Sequence, residues 1–112
     1  MFKKLALAGL FGLALVSVAN AQSPTTPTSG ALTCNGSLQQ LPVGALSNGL
    51  VIKADKSNVG TIYIGGPNTT TSGATQGYPL IAGEAISYGT TSISLVYAYC
   101  STSGDVLHFT GN

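Results

Sequence analysis

The sequence predicts an all-β protein, a small antiparallel β-sandwich or barrel of about six strands. Two observations carry that expectation. Beyond residue 21, short apolar runs alternate with clusters of Gly, Asn, Thr and Ser at the spacing of strands and turns. Over the same stretch no segment repeats its apolar residues at the helical period.

The elements follow in order. Lys3 and Lys4, the apolar run 5–18 and the small-x-small site Ala19-Asn20-Ala21 read as a secretory signal peptide over residues 1–21. The apolar run is shorter than the roughly 20 residues a membrane span requires. Residues 22–31, rich in Pro, Thr and Ser, have little to bury and read as a flexible leader. A single β domain is expected over 32–112. It opens with Cys34, Leu38, Leu41 and Val43, and Pro42 confines this segment to an edge or a turn. Ser47-Asn48-Gly49 signals a turn into the strand Leu50-Val51-Ile52-Lys53-Ala54. Residues 55–58 read as a solvated turn. Thr61 to Ile64 then alternates, with Ile62 and Ile64 on one face and Thr61 and Tyr63 on the other.

Residues 65–77 form a polar loop too long for a tight hairpin. Loops of that length often make contacts, so Asn68, Thr69, Thr70 and Thr71 are candidate contact residues. Residues 78–88 fit one bent strand or two short ones broken at Gly83-Glu84, with Pro79 at a strand start or edge. From 93 to 100, Ile93, Leu95, Tyr97 and Tyr99 share one face, and Val96, Ala98 and Cys100 the other. Apolar character on both faces predicts a central strand covered on both sides. Residues 106–110 close the domain.

Only 6% of the residues are charged. After residue 21 the charges are Lys53 and Lys56 against Asp55, Glu84 and Asp105, one net negative charge; Lys3 and Lys4 give the whole chain its +1. With no arginine and no basic cluster, the chain lacks the cations that displace counterions from phosphates, which argues against nucleic-acid binding. So sparse a charge leaves two readings of the surface. It is covered by neighbouring copies, the reading favoured here, or solvated by neutral hydroxyl and amide groups.

Cys34 and Cys100 are the two cysteines. Export would place them in an oxidising compartment, where a disulfide between them is the expectation, against buried free thiols or intermolecular pairing. No metal site is expected, because His108 is the only other soft ligand. No cofactor is expected either, since the glycines mark turns and lack the lysine of a phosphate loop. Catalysis is equally disfavoured. A Ser–His–Asp arrangement would have to recruit His108 and Asp105, and a carboxylate pair would have to come from Asp55, Glu84 and Asp105. The tyrosines Tyr63, Tyr78, Tyr88, Tyr97 and Tyr99 are candidate contacts, because tyrosine is enriched at interfaces and stacks on sugars, although strands also use it for packing.

Asn58-Val59-Gly60 before Ile62-Tyr63-Ile64-Gly65, Tyr78-Pro79-Leu80 with Gly83-Glu84-Ala85-Ile86, Val96-Tyr97-Ala98 and Gly104-Asp105-Val106 together resemble a pattern of small phage virion structural proteins. The likeness covers about the last 60 residues. It implies a β-sandwich on a particle surface, as a decoration, fibre or spike component, partnered by copies of itself or other virion proteins and without catalysis. Tailed-phage proteins of that kind assemble in the cytoplasm, whereas this chain carries an export signal. That points to a virus whose components cross the envelope, or to a cell-surface protein with a similar sandwich. A filamentous-type coat protein is excluded, since residues 22–112 contain no long apolar span. The sequence therefore predicts an exported structural module, extracellular or periplasmic. The alternative is a pilus-like adhesin subunit binding a glycan or host protein, and a small periplasmic binding protein or inhibitor comes third.

Overall fold

Alternation along the strands builds the core. In the computed structural model, which describes residues 26–112, eight strands form. They are β1 (Thr28–Thr33), β2 (Leu38–Gln40), β3 (Leu50–Ala54), β4 (Ile62–Gly65), β5 (Tyr78–Leu80), β6 (Ala85–Tyr88), β7 (Tyr97–Cys100) and β8 (Val106–Gly111). Leu50, Ile52 and Ala54 of β3 are buried while Val51 and Lys53 between them are exposed. The same period of two buries Ile62 and Ile64 of β4, Ala98 and Cys100 of β7, and Leu107 and Phe109 of β8. Leu41, Leu46, Leu80, Ile93 and Val96 complete one hydrophobic cluster between the sheets. Each large aliphatic side chain in such a core contributes about 1.5–3 kcal/mol by leaving water.

The strands sort into two four-stranded sheets, ordered β1-β8-β3-β6 and β2-β7-β4-β5. Every pairing between strands is antiparallel. The fold is thus the all-β sandwich expected, with the sandwich favoured over the barrel because each sheet keeps two free edges. The links β1–β2, β3–β4, β5–β6 and β7–β8 each cross from one sheet to the other, and the antiparallel order places all four at the same end. A disulfide joins Cys34, just beyond β1, to Cys100 at the end of β7, with 5.6 Å between the Cα atoms. It ties the edge of one sheet to an interior strand of the other.

The structure differs from the sequence reading in three places. The signal peptide over 1–21 and the start of the leader lie outside the described residues, but the leader's last part is not loose: Thr28 to Ala31 are in β1, paired with β8. Backbone groups alone bind an edge strand, so the absence of large apolar residues there was no obstacle. Residues 93–95 form a 3₁₀ turn rather than the start of a strand. The turn breaks the alternation, burying Ile93 and Val96 and leaving Leu95 58% exposed. β7 is interior within its sheet but covered on one face only, with Tyr97 and Tyr99 half-buried on the other. Of the two arrangements expected for residues 78–88, the structure shows two short strands, one in each sheet, separated by a turn in which Gly83 has φ 83°.

Candidate interaction surfaces

The end of the sandwich that carries the disulfide also gathers the charge. Lys53, Asp55, Lys56, Glu84, Asp105 and His108, the whole charged and imidazole complement of the described residues, lie in or next to its four connections. Their partners are mostly backbone. Asp105, 5% exposed, accepts hydrogen bonds from the Val59 N–H at 3.0 Å and the Gly60 N–H at 2.9 Å. A side chain at Gly60 would meet Thr102 and the Asp105 carboxylate, so this approach requires glycine. Beside it, Asn58 acts as a substitute strand residue. Its Nδ2 donates to the Val106 carbonyl and its Oδ1 accepts from the Val106 N–H, both at 2.8 Å. The 55–58 turn expected to be solvated is therefore half anchored.

His108 Nε2 lies 2.9 Å from Asp55 Oδ1. The hydrogen bond from His108, followed by one from the Ser57 N–H, holds the Asp55 carboxyl below its ordinary value of 3.8. His108 thus pairs with Asp55 and not with Asp105, whose two oxygens are occupied by the 59–60 backbone. Glu84 Oε1 accepts from the Ile81 N–H at 2.9 Å and closes its own turn. Each of the three acids is thus engaged in holding a connection. Among the described residues no group of three His, Cys, Asp or Glu side chains is placed to hold a metal ion. Lys53 and His108, register partners on β3 and β8, border an open groove of ≈ 580 Å³ with Ser29, Ala31, Val51 and Thr110.

The five tyrosines fall into two groups. On the outer face of the β2-β7-β4-β5 sheet, the register aligns Leu38, Tyr99, Tyr63 and Pro79 in one row across all four strands. Gln40, Tyr97 and Gly65 form the next row. Tyr63, Tyr97 and Tyr99 are half-buried, so they form a ridge of aromatic surface in which no residue is charged. Tyr78 and Tyr88 sit instead on the edge strands β5 and β6, opposite Ile64 and Leu50. Tyr78 is 56% exposed. Burial, and secondarily the charge of Tyr78, pushes the Tyr88 phenol above its ordinary value of 10.0.

The 66–77 loop is ordered by its own bonds. Thr69, 5% exposed, donates its hydroxyl to the Gly66 carbonyl at 2.7 Å. Thr70 exchanges backbone bonds with Thr75 and Gly77, and its hydroxyl lies 2.8 Å from that of Thr75. Thr69 is therefore an anchor, while Asn68 and Thr70 are exposed and Thr71 is half-buried. Sequence reasoning missed the Asn58 and Asp105 clamps, for which Asn58-x-Gly60 and Gly104-Asp105 were the available signals. It also missed the free edge of β1, for which the side-chain pattern held no signal.

No family model, curated protein or solved structure matches this chain.

Proposed function

We propose that the chain is an exported, non-enzymatic structural module that assembles with copies of itself, most simply as a virion surface component. The observation that carries the reading is the segregation of charge to one end. The tyrosine ridge, the distal parts of both outer faces and the opposite end consist of hydroxyl, amide, glycine and apolar groups. Interface cores are depleted of charge and enriched in tyrosine, so such a flank suits lateral packing against another protein. The Cys34–Cys100 disulfide fits an extracellular or periplasmic setting. Among the described residues no helix is long and apolar enough to cross a membrane. The virion assignment itself rests on the motif likeness over residues 58–109. The test is a density gradient of native culture supernatant with peptide mass spectrometry. Peptides from residues 26–112 should band with nucleic-acid-containing particles; their confinement to a soluble monomeric fraction would refute the proposal.

A second reading, a glycan-binding adhesin subunit, draws support from the tyrosine rows, since adjacent neutral aromatic rings beside an amide offer stacking and hydrogen bonding to a sugar. Under it, Tyr99→Ala lowers binding on a glycan array by about tenfold while the protein stays folded and its assembly is unchanged.

A further inference from the structure

The β1 strand ends its sheet with outward backbone groups that, Thr33 apart, have no partner among the described residues, and it is longer and less protected than the other three edges. β2 and β5 are three residues long, and β5 contains Pro79. β6 has four residues and starts beside the Glu84 carboxylate. β1 has six residues, Thr-Ser-Gly-Ala-Leu-Thr, with no charge and no proline. Charge, proline and shortness are the devices by which proteins protect an edge from pairing with another chain. β1 has none of them.

The free groups can be assigned. The Cys34 N–H donates to the Asp105 carbonyl, so Cys34 faces β8 in the ladder. Because the pairs of an antiparallel ladder alternate, Leu32, Gly30 and Thr28 also bond to β8. Ser29, Ala31 and Thr33 therefore turn their N–H and C=O groups outward. The carbonyl of Thr33 is already taken by Gln39 Nε2 at 3.2 Å. Thr33 keeps only its N–H, while Ser29 and Ala31 each keep one donor and one acceptor without a partner among the described residues.

This set is self-complementary. Two β1 strands placed antiparallel about a twofold axis through Gly30 set Ser29 of each copy opposite Ala31 of the other. That register satisfies all the free donors and acceptors of both residues and stops short of the Gln39 cap. It places small side chains on the outer face of the seam, Ser29 against Ala31, and brings the backbones together at Gly30. It also sends the two charged ends to opposite extremities, whereas parallel pairing would set them side by side. We propose that the β1 edge is a homodimer interface, in which two copies pair through Ser29 and Ala31 into a continuous eight-stranded sheet. The inference rests on the self-assembly reading and specifies its contact.

The experiment follows the molar mass of the purified oxidised chain by light scattering across a concentration series, with amide hydrogen exchange on the same samples. A dimer is expected, with the Ser29 and Ala31 amides protected at high concentration and exchanging freely at low concentration. Ala31→Pro removes an outward N–H that β8 does not use. It should weaken dimerisation by about tenfold or more. The double variant Ser29→Lys/Ala31→Lys keeps every backbone group, adds like charges along the seam, and should do the same; its unchanged circular dichroism controls for folding. If a multimer forms whose mass neither variant changes, edge pairing is wrong while self-assembly stands. A monomer at every concentration overturns both.

Discussion

At the scale of single residues, the polar side chains that matter most are those standing in for backbone. Asp105 is buried and receives two N–H donors from residues 59 and 60. Replacing it by alanine leaves both donors without a partner in a place where water enters poorly. Asp105→Ala should therefore lower unfolding free energy by about 1–3 kcal/mol in urea titrations. Val51→Thr, an exposed change on the outer face, should stay within about 0.5 kcal/mol. Equal effects of the two would show that the clamp contributes nothing. Asp55 offers a different test, because its folded pKa is depressed by the bond from His108. A carboxyl held below its unfolded value contributes stability that is fully present above that value and is lost as pH falls through the folded one. The loss therefore belongs below about pH 4, and it is small, since the pair is exposed to solvent. In an NMR titration the Asp55 midpoint should lie below 3.8 and move up toward it in His108→Ala. A midpoint that does not respond to the substitution would remove His108 as its cause.

At the scale of elements, Gly30 shows what β1 demands. A Cβ there would sit 2.6 Å from Phe109 Cζ, inside the ring that β1 covers. Phe109 is held in the core, so a side chain at 30 must push β1 off β8. Gly30→Val should cost about 1–3 kcal/mol and speed exchange of the 28–33 amides before those of β3, whereas uniform acceleration would argue that β1 is integral to the global unit. The same element explains where the sequence was legible. Apolar runs next to turn residues marked the strands at 50–54 and 106–111, and that at 62–65 announced itself by alternation, because its core face and its outer face take different side chains. The β1 strand did not, since its membership depends on main-chain bonds to β8 that small neutral side chains leave unmarked. Residues 93–95 misled for the converse reason: a 3₁₀ turn that buries Ile93 and exposes Leu95 has the same apolar composition as a strand. The tyrosine ridge was readable residue by residue, but its rows required the register of four strands. The Asn58 and Asp105 clamps join segments 48 and 46 positions apart, so the local signals at 58–60 and 104–105 could not name their partners.

At the scale of the whole molecule, one end of the described residues carries the charge, the clamps and the disulfide, and the other carries none of them. The neutral end is thus held by packing, main-chain bonds and local hydroxyl and amide bonds such as that of Thr69 to the Gly66 carbonyl, while the charged end has a covalent tie across a separation of 66 residues. Closing a loop of that length removes enough freedom from the unfolded chain to stabilise the fold by about 4 kcal/mol in the chain-entropy model. That is a large share of the 5–15 kcal/mol expected for a small domain. The tie also bridges the two sheets, so its loss releases β1 and the β1–β2 link from β7. Cys34→Ala/Cys100→Ala, or reduction, should lower the urea midpoint by about 2–4 M. Amides of β1 and β2 should lose protection first, while those of β3, β4 and β8 persist until global unfolding. A change below about 1 kcal/mol would mean that the unfolded chain keeps its ends together without the bond. If β1 pairs between copies as inferred, the reduced protein should also dimerise less well, because the disulfide then holds in place the strand that presents Ser29 and Ala31.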